Sequence, residues 1–403
     1  MKVILGAATL ALAAASMPAL AQGAAPATQA QASAQPKPSG KARNAIVGLQ
    51  TAVNAGDRVA IATELAKAQA AATTADDRYI IAQLQLKAAI AANDTGAIST
   101  AIDAIAASGF LDSSRTSELY VSLGSQLFQQ KQYARAAAAF ERAAALNPAN
   151  SKLPLMVADV RMAEGRKADA AAMYERGIKA AQAAGQKPDE ALYRRAVQAA
   201  YDAKIASVDE LARQWVTAYP SADSWRNSLA IFRNQHNLDL EGTIDLLRLM
   251  RANNALTKSN ELSLYVNGLI GQSNFIEAQT YLDQAASVPG IDAGALQSLK
   301  ATLAGKPKVT AAQLAASAKS AQSGMALLRI GDRYYGLGDY ARAAETYRAA
   351  KAKGADAGLA DLRTGIALAA AGDKAAATAA LNGVSGPRKA LAQYWLLYLQ
   401  GKA

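Results

Sequence analysis

His236 is the single imidazole in this chain of 403 residues, set in Asn234-Gln235-His236-Asn237, and there is no cysteine. General-base catalysis of the commonest kind, or a nucleophilic triad, would have to run through that one side chain. Its position between two predicted helices reads as a solvated loop instead. Without cysteine there are no disulfides, thiolate ligands, thiol nucleophiles or lipid attached at an N-terminal cysteine. One histidine also leaves transition metals short of their usual ligands, and no loop is acidic enough for an oxygen-only calcium site. Gly336-Leu337-Gly338 starts like a dinucleotide fingerprint but lacks the third glycine and a preceding strand, and no phosphate-binding G-x-x-x-x-G-K-[ST] occurs. The carboxylate pairs Asp76-Asp77 and Asp189-Glu190 stand at predicted helix starts, where acids favour the helix dipole. The residues point away from catalysis, and neither enzyme activity nor a cofactor is expected.

The elements that carry these residues are helical. Apolar residues make up 51% of the chain but aromatics only 6%, because alanine dominates, and alanine is the best helix former and lets helices pack closely. The first 21 residues have the pattern of a secretory signal peptide: Lys2, an apolar stretch from Val3 to Ala15, and Ala19-Leu20-Ala21 before Gln22. Export is expected, with a soluble periplasmic mature chain, since nothing later offers the roughly 20 apolar residues of a transmembrane helix. Residues 22–41 have no apolar period and read as a disordered linker.

From residue 42 helical patterns alternate with short breaks, and prolines from Pro148 to Pro387 fall between helices or in their first turns. One stretch sets Tyr120, Leu123-Gly124, Leu127, Tyr133, Ala136, Phe140, Ala143 and Pro148 at regular intervals. A second sets Leu327, Ile330-Gly331, Tyr334, Gly338-Asp339-Tyr340, Ala343, Tyr347 and Ala350. Weaker copies begin at Gly56-Asp57, Asn93-Asp94, Gly165-Arg166, Ser273-Asn274 and Gly372-Asp373, while the segments around Trp215, around Leu247 and from Ala293 to Ala321 fit loosely. These spacings resemble the tetratricopeptide repeat. The resemblance implies an all-α fold: a solenoid of antiparallel helix pairs, wound into a right-handed superhelix, over residues 42–387. The clearest repeats are 117–150, 151–184 and 324–356, and 388–403 would form a capping helix and tail.

By the same resemblance, partners would lie along the first helices of the pairs, facing the superhelical groove. The matching positions are Val121, Ser125 and Phe128, then Leu155, Asp159 and Met162, and near the C-terminus Leu328, Asp332 and Tyr335. Their apolar character suits a protein or peptide segment. The net charge of +11, with Arg194-Arg195 and with Arg329, Arg333, Arg342, Arg348, Lys351 and Lys353 near the C-terminus, offers a second surface, for an anionic envelope polymer such as a polysaccharide. Nucleic acid is not expected, because no aromatic platform accompanies these charges. Trp395 and Tyr398 on the terminal helix could instead mediate self-association. The expected function is an exported scaffold in envelope assembly or export, or else a guide for the anionic polymer.

Overall fold

The computed structural model describes residues 35–401, so the expected signal peptide lies outside the described residues. Twenty helices follow one another in ten pairs, and a twenty-first closes the chain, with no strand among the described residues. In order they are α1 (Arg43–Ala55) with α2 (Arg58–Ala71), α3 (Ala75–Ala91) with α4 (Thr95–Ser108), α5 (Ser113–Gln129) with α6 (Tyr133–Leu146), and α7 (Lys152–Ala163) with α8 (Lys167–Ala183). Then come α9 (Glu190–Asp202) with α10 (Val208–Ala218), α11 (Ala222–Gln235) with α12 (Leu240–Ala252), and α13 (Ser259–Gly271) with α14 (Phe275–Ala285). The last are α15 (Ala293–Leu303) with α16 (Ala311–Ser320), α17 (Gly324–Gly336) with α18 (Tyr340–Ala352), α19 (Ala357–Ala370) with α20 (Lys374–Asn382), and, after a short 3₁₀ turn at Gly386–Arg388, α21 (Lys389–Gly401). The all-α solenoid of helix pairs expected from the sequence is the fold observed.

The turns inside the pairs explain the Gly-Asp and Asn-Asp signals. The first residue ends one helix in the left-handed region, where φ is 70° at Gly56, 50° at Asn93, 79° at Gly338 and 83° at Gly372. The aspartate after it caps the next helix: Asp57 accepts from the Val59 and Ala60 amides, Asp94 from Gly96 and Ala97, and Asp339 from Arg342. Two residues therefore stop one helix and start its partner.

Within a pair, the signature glycine is a close-packing device. A methyl group on Gly124 would come within 2.6 Å of the Phe140 ring, and one on Gly331 within 2.6 Å of the Tyr347 ring. Gly365 repeats the arrangement against Leu381 at 2.5 Å. In each case the partner lies sixteen positions downstream, which is the distance from one helix face, around the turn, to the facing side of the next helix.

The chain divides into two compact units, residues 1–110 and 111–403. In the first, α1 to α3 pack around Ile46, Leu49, Val53, Ala68 and Ile81, α4 packs on α3, and Phe110 stacks on Tyr79 with centroids 4.3 Å apart. The last part of the expected linker is held in this unit. The Lys37 amide donates to Asp76, and the buried Asp77 carboxylate accepts from the Ser39 amide at 2.7 Å, the Ser39 hydroxyl and the Thr73 and Thr74 amides. Burial works to raise the Asp77 carboxyl, but these donors hold it well below the usual carboxylate range.

In the second unit, helix pairs stack from α5 onward, and the pattern changes after α14. The pair α15 and α16 buries little, only Leu299 and Leu303 on one helix and Leu314 on the other, and α14 packs directly on α17. Gly336 makes that contact possible, since a methyl group there would reach 2.8 Å from the Glu277 amide nitrogen. The loose fit of Ala293 to Ala321 to the repeat thus has a physical reason: this pair stands aside from the stack. Beyond it α21 turns back to α10 and α12. Tyr394 sits edge-on to Phe232 with centroids 5.4 Å apart, the Arg213 guanidinium lies 5.7 Å over the Tyr394 ring, and Arg388 pairs with Asp239 at 2.7 Å. The stretch from α10 to α21 therefore closes on itself.

Candidate partner surface and a buried ion network

Closure brings together charges far apart in the sequence. On α12, Glu241, Asp245 and Arg248 are spaced four and three residues apart, so they form one stripe along the helix. Arg248 is held by Asp245 at 2.9 Å and, through two nitrogens, by Glu277 of α14 at 2.8 and 2.6 Å. Arg363 of α19 reaches Asp245 at 3.2 Å, Asp332 of α17 at 2.9 Å, and Glu241. Arg329 of α17 completes the set with Glu241 at 2.5 Å. The Tyr265 hydroxyl donates to Glu277 at 2.6 Å, the Tyr347 hydroxyl donates to Asp332 at 2.8 Å, and the Tyr335 ring covers Arg248 at 4.5 Å.

These groups are buried: Asp245 and Arg363 are 0% exposed, and Glu277, Asp332 and Arg248 no more than 2%. Charges so deep persist only when paired and fully hydrogen-bonded. Burial works to raise Glu241, yet Arg363 and Arg329 hold its carboxyl down to about 2. Glu277 is likewise lowered, because Arg248 overcomes its burial. Asp245 is raised, since burial together with Asp332 and Glu241 outweighs Arg363 and Arg248. Counting direct ion pairs, four carboxylates face three guanidiniums. The arrangement holds no imidazole or cysteine, and no group of acidic or histidine residues suited to a metal occurs among the described residues. Its chemistry is structural: it ties α12, α14, α17 and α19 together.

The expected groove residues fall into two groups. Leu328 and Asp332 are buried, Asp332 inside the ion network, and Tyr335 is half-buried over Arg248, so closure covers this end. The others remain more open. Phe128 is 36% exposed and lies against Tyr133 at 5.6 Å, Val121 is half-buried, and Ser125 donates its hydroxyl to the Val121 carbonyl. Leu155 and Met162 are half-buried against the core of α7 to α10. Asp159 is partly exposed, pairing with Arg195 at 3.0 Å and accepting from the Tyr174 hydroxyl at 2.5 Å.

Several other residues stand differently from the sequence reading. His236 is no solvated loop residue: it caps α11, stacks on Phe232 at 4.1 Å and lies 2.5 Å from Asp209. Glu190 accepts from the Trp215 indole at 3.1 Å, while Asp189 occupies the cap position without a side-chain bond. Much of the basic surface is engaged internally, with Arg329 on Glu241, Arg342 on Asp339, Lys351 on Asp361 and Lys353 on the Ala321 carbonyl. Trp395 and Tyr398 are 2% and 8% exposed within the chain's own core, which leaves little of either for another subunit.

The sequence carries no local signal for the network residues Asp245, Arg248, Glu277 and Arg363. On α12 the apolar residues Ile244, Leu246, Leu247, Leu249 and Met250 leave Glu241, Asp245 and Arg248 together on one polar face, which by itself reads as an ordinary solvated face.

Among the described residues no helix is long and apolar enough to cross a membrane. No curated relative matches the sequence. Among the solved structures that overlap the chain are the TPR2AB domain of yeast Sti1 in a complex with pHSP90, at 11% identity over 72% of this chain and 99% of that one, with a TM-score of 0.28; and a Rap protein complexed with competence and sporulation factor, at 12% identity over 91% and 99%, with a TM-score of 0.20. Likenesses this slight carry no argument about the chain. The tetratricopeptide repeat family model matches residues 127–199, from the end of α5 into α9, so this segment is of tetratricopeptide-repeat type, in a chain that continues the same helix-pair build on either side.

Proposed function

We propose that the protein is a non-catalytic scaffold that holds a protein or peptide segment along the helices of residues 113–202. It would be exported to the periplasm by its first 21 residues and act in envelope assembly or export. The observation that carries this reading is the contrast within the second unit. Toward the C-terminus the closed stretch fills its interior with ion pairs, whereas α5 and α7 keep Val121, Phe128, Leu155 and Met162 partly open. A preformed helical face of this kind binds with little ordering cost. The basic surface offers less to an anionic polysaccharide, because Arg329, Arg342 and Lys351 are already paired with acids of this chain.

Crosslinking in the native envelope, followed by capture of the protein, tests the reading with a Val121→Asp, Phe128→Asp variant that keeps the wild-type melting temperature. Specific proteins lost from the variant support the scaffold. Recovery of the same proteins from both forms, or of glycan alone, overturns it.

A further inference from the structure

The stripe on α12 has a fourth member. Arg251 follows Arg248 by three residues and so extends the row of Glu241, Asp245 and Arg248. The other three arginines of this interior are matched by acids: Arg248 by Asp245 and Glu277, Arg363 by Asp245 and Asp332, and Arg329 by Glu241. Arg251 instead donates to the Gln284 amide oxygen at 2.9 Å and lies 5.3 Å over the Tyr281 ring, with no ion pair to an acid among the described residues.

Its guanidinium borders a cavity of about 660 Å³, within the size range of small-molecule sites. Six helices contribute to the lining, which includes both Arg248 and Arg251 and no carboxylate side chain. Arg248 at the base is in direct ion pairs with Glu277 and Asp245, whereas Arg251, attracted to Glu277 only at longer range, has no carboxylate in contact with its guanidinium. The walls are phenolic. Tyr281, Tyr335, Tyr340 and Tyr398 come from four different helices, and the Tyr335 and Tyr340 rings meet at 5.1 Å and 58°. A guanidinium takes a carboxylate through two parallel hydrogen bonds, and tyrosine faces suit the flat or ring-shaped body that bears it.

We propose that this cavity binds a ligand carrying a carboxylate on a ring-sized body, with Arg251 holding the carboxylate and the tyrosines enclosing the ring. Two chemical sources fit, an aromatic acid and a uronic acid. The site is separate from the helices proposed to hold a protein segment, so either assignment can fail without the other.

Calorimetric titration of the full chain at low salt tests the proposal, with phenylacetate and D-galacturonate as probes and phenylacetamide and D-galactose as their uncharged counterparts. Saturable binding of one acid is expected, weakened about tenfold or more in its uncharged counterpart and in Arg251→Gln, the loss expected for a charge-assisted pair. The acid that binds identifies the source. Ala370→Phe, which places a ring at the exposed edge of the cavity without touching the ion network, should abolish binding as well and serves if Arg251→Gln does not fold. Binding of neither acid, or binding unchanged in both variants, overturns the proposal.

Discussion

Arg363→Met removes the guanidinium that joins α19 to α12 and α17 while keeping most of the side chain's volume. Arg363 is 0% exposed and contacts Asp245, Asp332 and Glu241, so three carboxylates lose a partner together. None is orphaned completely, since Asp245 keeps Arg248, Asp332 keeps the Tyr347 hydroxyl and Glu241 keeps Arg329. Two guanidiniums then face four carboxylates. Breaking a buried pair by removing one partner costs about 3–5 kcal/mol, because the remaining charges stay out of water. For a unit this large, each kcal/mol lowers the melting temperature by about 2–3 °C, giving a fall of about 6–15 °C. Circular dichroism at 222 nm reads the fall, and hydrogen exchange should show the amides of α12, α17 and α19 opening sooner. Adding Asp245→Asn should recover part of the loss by removing one unmatched charge. As a control, Arg166→Met breaks a pair with Asp169 in which both side chains are about half exposed, and should cost less than about 1 kcal/mol. If Arg363→Met melts with the wild type and its amides exchange no faster, the ion network does not hold this stretch closed, and the reasoning fails.

Acid should loosen the same region. Glu241 falls to about 2 in the folded chain from its ordinary 4.5, and Glu277 is also lowered, so their contribution is complete above about pH 4.5 and is lost as pH drops through the folded values. Asp245 is raised and works the other way, its contribution being present at low pH and lost as pH rises through its folded value, which partly offsets the first two. A melting series from pH 7 to pH 2 should fall below pH 4.5, and Glu241→Gln should flatten that fall; an unchanged slope would count against the assignment. Gly324→Ala should destabilise more than Gly124→Ala, because the added methyl meets the Ala355 amide nitrogen at 2.4 Å and the Ala350 carbonyl at 2.5 Å, whereas at Gly124 it meets a side-chain ring. Overpacking of this kind costs about 1–3 kcal/mol, and urea denaturation giving the two variants equal midpoints would contradict it. In the first unit, Asp77→Ala removes the Asp77 half of the capping box with Thr74 and the acceptor for the Ser39 segment, at a cost of about 1–2 kcal/mol. Tryptic cleavage after the exposed Lys41 should quicken, and an unchanged rate would mean that Asp77 does not anchor the segment.

What could be read in the sequence follows the range of the interactions. Helix pairs depend on neighbours, so Gly56-Asp57 or Gly338-Asp339 marks a turn locally, and Gly124 with Phe140 marks a packed pair sixteen residues apart. The groove positions around Val121 and Leu155 rest on the same short-range logic. Closure does not. Arg363 meets Glu241 across 122 residues and Arg329 meets it across 88, and no repeat spacing encodes either. Asp332 shows the consequence: its place on a first helix was readable, but the ion pair that covers it depends on a helix thirty-one residues on. His236 differs from its local pattern for a similar reason, since Asp209 lies on the preceding pair while its sequence neighbours Asn234, Gln235 and Asn237 are all polar.

A solenoid in which each repeat touches only its neighbours gains stability by increments and can be loosened one repeat at a time. Contacts from α12 to α19 and from α10 to α21 add a constraint of another kind, because α12, α14, α17 and α19 cannot part without disturbing the buried charges. Such charges give little net stability compared with well-packed apolar residues of the same size, so their effect lies in geometry: few arrangements of these helices satisfy all four carboxylates at once. Residues 113–202 lack this constraint, and there each helix pair is held by its neighbours alone. One stretch of the same chain is thereby tied across its length while another is built by increments, and the division falls where the long-range ion pairs begin.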